Sequence, residues 1–247
     1  MTSSCEFTLA HYAEILRCFR DRGYRFVSFA DLDHEAGAQV ILRHDVDLSL
    51  TAALEIAEIE AAANVSSVFH VLLTAEAYNA YSAAGQRAIS QLRRHGHRLG
   101  LHVDPALIDF ATPERVRESM KSLFDVAMRV LGPLDSYSLH RPVASGRLHE
   151  IAPENLGFRV PPYSASAAYQ RDIAYRSDSR REWRSGCICA ELPQLDGAAV
   201  QLNTHPIWWA GESRSRAEIL ERFLEMRDEE SVAYLEANLS FYQRPTT

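Results

Sequence analysis

Two rhythms of apolar residues alternate along this chain. Leu9, Tyr12, Leu16 and Phe19 recur at helical spacing behind Thr8, a residue suited to cap them, and Gly23 closes the run. Residues 25–29 then read as a short strand. A polar loop over 31–39 leads to a buried strand at 40–42, which runs into Arg43-His44-Asp45-Val46-Asp47. Ser49 is placed to cap a second helix with Ala53, Leu54, Ala57 and Ile59 on its buried side. Beyond it the pattern predicts strand over 67–72, helix over 86–95 and strand over 98–103. A long helix over 113–131 carries Val116, Met120, Leu123, Phe124 and Ala127 on one stripe. Further strands are predicted over 136–140, 173–177, 188–192 and 200–205. From 214 to about 242 the pattern is helical again, as one long helix or two.

Strands alternating with helices of this length build βα units around a parallel sheet, a pattern that a barrel and a doubly wound sheet both satisfy. No repeat, low-complexity stretch or Gly/Ser/Pro-rich linker divides the sequence. The expectation is one α/β domain over 1–247, with an N-terminal helix and strand over 1–38 and a C-terminal helical segment over 214–247 packed on it. That segment also offers a surface for a homodimer.

At 247 residues, 47% hydrophobic and 24% charged, the chain is long enough to bury a core without staples. Its 26 Lys and Arg against 33 Asp and Glu leave a net charge of -7, which argues against nucleic acid or an anionic membrane as partner. No stretch approaches the roughly 20 apolar residues of a membrane span, and no signal-peptide core precedes Gly23, so a cytoplasmic protein is expected. The cysteines at 5, 18, 187 and 189 form no disulfide framework. Cys187-x-Cys189 without a second pair is a poor zinc knuckle, and the four read as small buried residues in a reducing compartment.

Four polar clusters fall at the C-terminal ends of predicted strands, where parallel α/β folds place their sites. In 43–47, alternation puts Arg43, Asp45 and Asp47 on one face and His44 and Val46 on the other. Two carboxylates on one face repel unless a cation lies between them; a helix-capping loop would explain only one of the two. In 98–104, Gly100, His102 and Asp104 share a face. His97, after Gly96, reads as a helix C-terminal imidazolium and not as a site residue. In Ser138-Leu139-His140-Arg141-Pro142, Ser138 and His140 share a face. In 200–206, Gln201, Asn203 and His205 do, with Pro206 ending the strand.

In this order the clusters resemble the polysaccharide deacetylase superfamily (carbohydrate esterase family 4), and within it a bacterial branch found near surface-polysaccharide genes. The resemblance runs from about 24 to 209. It implies a distorted, incomplete (β/α) barrel and a divalent-metal-dependent hydrolase, zinc being the expected metal. The implied reaction removes an N-acetyl or other acyl group from a sugar or sugar-linked small molecule. The first motif implies Asp45 as base and Asp47 as metal ligand, although Val46 splits the usual Asp-Asp and leaves the two roles exchangeable. The second implies His102 as ligand, but its usual partner four residues on is Ala106. The third ligand then comes from His140 or from Asp104.

The third motif implies Arg141 as the residue orienting the base; Arg159 in the proline-rich segment 158–163 comes late for that role. The fourth implies Asp178 and Trp183, an acid to pair and an indole to wall the pocket. The fifth implies His205 as general acid, with Asn203 helping at the oxyanion. Trp208 and Trp209 follow, either to stack on a sugar or to cover the barrel mouth. Two other readings stay open: a same-fold hydrolase of a non-sugar C–N bond, and a non-catalytic binding or scaffold relative with an incomplete metal site. Ala106 favours the last; Asp45, Asp47, His102 and His205 together oppose it.

Overall fold

The computed structural model describes residues 5–141, 151–170, 173–210 and 215–244. Pro142 and Arg214, expected at the boundaries of two elements, lie outside the described residues. Helix α1 (Leu9–Asp21) starts where Thr8 accepts a hydrogen bond from the His11 N–H, a cap worth about 1 kcal/mol. Strand β1 (Arg25–Val27) leads to β2 (Gln39–Val46), buried along its whole length. Ser49 caps α2 (Leu50–Ala62) through the Ala52 N–H. Then come β3 (Val68–Leu72), α3 (Ala83–Arg94), β4 (Arg98–Val103), α4 (Pro113–Leu131) and β5 (Tyr137–Leu139). The short α5 (Pro153–Leu156), β6 (Ala174–Ser177), α6 (Ile188–Glu191), β7 (Val200–Thr204) and α7 (Arg216–Asn238) complete the chain.

All strands pair in parallel, in the order β5-β4-β3-β2-β7-β6, with β1 flanking the start of β2. No pairing among the described residues joins β5 to β6, so the sheet curls into an incomplete (β/α) barrel, the architecture expected.

The alternation read from the sequence decides which side chains face in. On β2, Val40, Leu42 and Val46 pack outward under the helices with Phe69 and Val71 of β3 and Leu202 of β7. On β4 and β5, Leu101, Val103, Tyr137 and Leu139 pack outward against Val116, Met120 and Phe124 of α4. The opposite positions face the concave side. There Phe29, Ile41 and Val68 form an apolar plug, above which the lining turns polar. Burying the apolar outer rows stabilises the sheet, by roughly 1.5–3 kcal/mol for each large side chain, and thereby fixes which residues point into the barrel.

Two expectations are corrected. Residues 188–192 form α6 and the following turn, not a strand. Ile188 and Leu192 are both buried, and a spacing of four fits one helical turn as well as it fits a strand. His97 is no exposed helix cap: it lies in the core, with Nε2 3.0 Å from the Ala57 carbonyl, and burial, the largest influence on it, pulls its imidazole below the ordinary value. The C-terminal segment is a single helix, α7. It opens on a capping box between Ser215 and Glu218, touches the turn at 206–208 and buries Ile219. Among the described residues no helix is long and apolar enough to cross a membrane.

Candidate metal centre and its cavity

The concave positions of five strands meet at their C-terminal ends around a cavity of about 460 Å³. Its wall includes Arg43, Asp45, Asp47, His102, His140, Arg141, Tyr163, Tyr175, Asn203 and His205.

Asp47, His102 and His140 come together at its floor, each offering a ligand atom within 4.8 Å of the other two. Asp47 Oδ1 lies 3.2 Å from His102 Nε2 and 3.2 Å from His140 Nδ1, yet this buried oxygen makes no hydrogen bond. Ligand atoms bound to one zinc at ordinary bond lengths stand about 3.0–3.4 Å apart, so the spacing and the orphaned oxygen fit a divalent cation. His102 is ready for it: Nδ1 meets the Ser138 hydroxyl at 2.6 Å, leaving Nε2 free to face Asp47. For His140 to ligate through Nδ1, its proton must sit on Nε2, which here accepts a bond from Arg141 Nε at 2.9 Å. Metal loading through that atom therefore requires Arg141 to let go. Burial alone would raise the Asp47 carboxyl, but the imidazoles of His102 and His140 beside it hold it below the usual carboxylate range.

Asp45 sits one pleat deeper. Its Oδ2 accepts from Arg43 Nη2 at 2.8 Å and from Asn203 Nδ2 at 3.0 Å. Its Oδ1 lies 3.3 Å from both His70 Nδ1 and the Ser138 hydroxyl. Burial would push this carboxyl up, but Arg43, followed by His102 and His70, holds it well below its ordinary value. His70 is wholly buried, and burial pulls it down to about 4, so it is neutral. Its other nitrogen meets the Ser136 hydroxyl at 2.8 Å. That ring fits only because Gly100 faces it: a Cβ at 100 would stand 2.0 Å from His70 Cδ2.

On the opposite wall His205 Nδ1 is 2.6 Å from Asp178 Oδ1, and Nε2 points toward Asp47 Oδ2 at 3.9 Å. Asp178 is fully buried; it also accepts from the His205 backbone N–H and from the Trp209 indole at 2.7 Å. Burial lowers the affinity of His205 for a proton, but Asp178 outweighs it and the imidazole is pushed up to about 9.

Several expected residues stand elsewhere. Arg141 does not touch Asp45; the place at that carboxylate belongs to Arg43, two residues earlier on the same face of β2. Arg141 has already turned out of the strand at φ 42°. Asp104 caps the turn at 105–107 through the Ala106 N–H, whereas it is His140 that stands with Asp47 and His102. Asn203 donates to Asp45 and to the Tyr175 hydroxyl, so it serves the carboxylate, while its buried Oδ1 has no partner. Trp183 does not wall this cavity: it stacks on Phe7 and donates to Cys5 Sγ. Trp208 packs partly buried against the core, and it is Trp209 that serves the site, from behind Asp178.

Sequence reasoning placed Arg43 on the right face without giving it a role, and passed over His70. Alternation through 67–72 was signal enough to turn His70 inward, but a histidine in mid-strand among Phe69 and Val71 looks like core until Asp45 is seen across the register.

No family model and no curated protein matches this sequence. Solved structures do resemble the chain. The chitin deacetylase from the fungal pathogen Colletotrichum lindemuthianum is 14% identical with a TM-score of 0.48, over 82% of this chain and 86% of that one. A family 4 carbohydrate esterase from Bacillus anthracis is 15% identical with a TM-score of 0.43, over 87% and 85%. A CE4 family pseudoenzyme from the same bacterium is 12% identical with a TM-score of 0.43, over 77% and 60%. Likenesses this distant decide nothing about activity, which rests on the side chains.

Proposed function

We propose that the chain is a divalent-metal-dependent hydrolase, zinc being the metal, that removes an N-acetyl or other acyl group from a sugar or sugar-linked substrate. The observation that carries this reading is the orphaned Asp47 oxygen equidistant from two imidazoles, with an ionised aspartate on one side and a protonated histidine on the other. His102, His140 and Asp47 would hold the metal. A two-histidine, one-carboxylate set with room for substrate suits a catalytic zinc. Bound there, the cation would polarise the acyl carbonyl and acidify a water, which matters because a carboxylate held as low as Asp45 is a weak base.

The chain's own residues supply the rest. Asp45, kept ionised by Arg43, accepts the proton of the attacking water. Ser138 bridges Asp45 and His102 and holds both in register. His205, kept protonated by Asp178, donates to the departing amine. A substrate chain lies along the cavity, whose exposed lining carries Tyr175 and Arg180 and offers an aromatic ring and a cation to a sugar. Ala106 does not oppose the reading, because His140 would supply the third ligand.

The test is acetate release from N-acetylhexosamine oligomers and from an N-acetylhexosamine nucleotide by the zinc-loaded protein. Asp45→Asn is expected to lower kcat by roughly 10²–10⁴. Near-full activity of that variant would overturn the assignment.

A further inference from the structure

The chain contains four cysteines, and the fold gathers all four on the outside of the barrel, away from the cavity. Cys5 Sγ, Cys187 Sγ and His11 Nε2 lie within 4.8 Å of one another, with His11 Nε2 3.1 Å from Cys187 Sγ across 176 residues of sequence. The Cys189 thiol interacts with those of Cys187 and Cys18. All four are free.

Two neighbours make this more than a cluster of sulfurs. His11 Nδ1 is 3.0 Å from Glu14 Oε2, which places the ring proton on Nδ1 and aims the Nε2 lone pair at the thiols. A carboxylate behind a histidine is how metal-binding imidazoles are oriented. Trp183 Nε1 donates to Cys5 Sγ at 3.1 Å, a bond that favours sulfur as acceptor and therefore as thiolate. Gly186, at φ +87°, makes the turn that presents Cys187 at the start of α6; any side chain there would be strained.

We propose that Cys5, His11 and Cys187 hold a second, structural zinc ion that fastens the N-terminal segment to α6. Two thiolates with one imidazole select a borderline-soft cation and exclude magnesium and calcium, which take oxygen. The position suits a staple. Trp183, bonded to Cys5, stacks on Phe7 and packs against Trp209, and Trp209 holds Asp178. The site thereby buttresses the wall that carries His205 without touching substrate.

The experiment is removal of metal with a chelator, full reduction, and titration with Co²⁺ followed by absorption, on the wild type and on Cys187→Ser, His11→Gln and His102→Ala. The wild type should take up two equivalents and show thiolate-to-cobalt charge-transfer absorption. Cys187→Ser and His11→Gln should each lose one equivalent. The band should vanish in both and persist in His102→Ala. His11→Gln keeps every thiol, so it tests the site even if Cys187→Ser folds poorly. No charge-transfer band in the reduced wild type, or a band that survives Cys187→Ser, would overturn the proposal. So would a non-reduced protein that is lighter by two hydrogens through a Cys5–Cys187 disulfide. Because His102→Ala removes only the cavity metal, failure here and failure of the proposed activity are told apart.

Discussion

Asp45 and Asp47 stand two residues apart on one face of β2, and their neighbours give them opposite work. Asp45 has a guanidinium, an amide and a hydroxyl, donors that fix a negative charge in place. Asp47 has imidazole nitrogens without hydrogen-bond alignment, the surroundings of a ligand. The same logic separates the histidines: His70 is neutral inside the barrel, whereas Asp178 keeps His205 charged. The sign of the pH dependence follows. His205 donates only while protonated, so kcat/KM should be sustained below its titration and fall as pH rises through about 9. Asp178→Asn removes the carboxylate that raises it, and the alkaline limb should move down toward the free imidazole value of about 6.5. A pH–rate profile reads this directly, and an unmoved limb would show that His205 is not the titrating acid.

At the scale of elements, the strands carry the site and the helices hold the strands. Alternation of apolar and polar residues in 40–47, 98–103 and 200–205 made both the strands and their inward faces legible, because burying one face of a pleat leaves no freedom in the other. It was less informative where elements are short. The single turn of α6 reads as a strand because Ile188 and Leu192 satisfy either geometry. The exchange of Arg141 for Arg43 was hidden too, since adjacency on one strand face competes with a motif order that says nothing about where the chain leaves the sheet. Gly100 belongs to this scale, because it lets β3 and β4 pair with an imidazole between them. Gly100→Ala should push His70 off Asp45, destabilise the fold by about 1–3 kcal/mol and lower activity beyond that. Denaturant unfolding and kinetics of the folded fraction measure the two effects separately.

For the whole molecule, His140 after β5 and His205 after β7, with three strands between them in the sheet order, line one cavity because the curled sheet brings the ends of β2, β4, β5 and β7 to one mouth. That convergence was legible as a set of strand ends. The cysteine cluster was not: β1 to β6 lie between Cys5 and His11 on one side and Cys187 on the other, and no local spacing announces their meeting. The account stands on Asp47, His102 and His140 sharing one cation. Calorimetric zinc titration of the demetallated wild type, Asp47→Ala and His102→Ala tests that most directly. Each variant should bind one equivalent fewer than the wild type while keeping its fold by circular dichroism; equal stoichiometry and affinity in all three would contradict it.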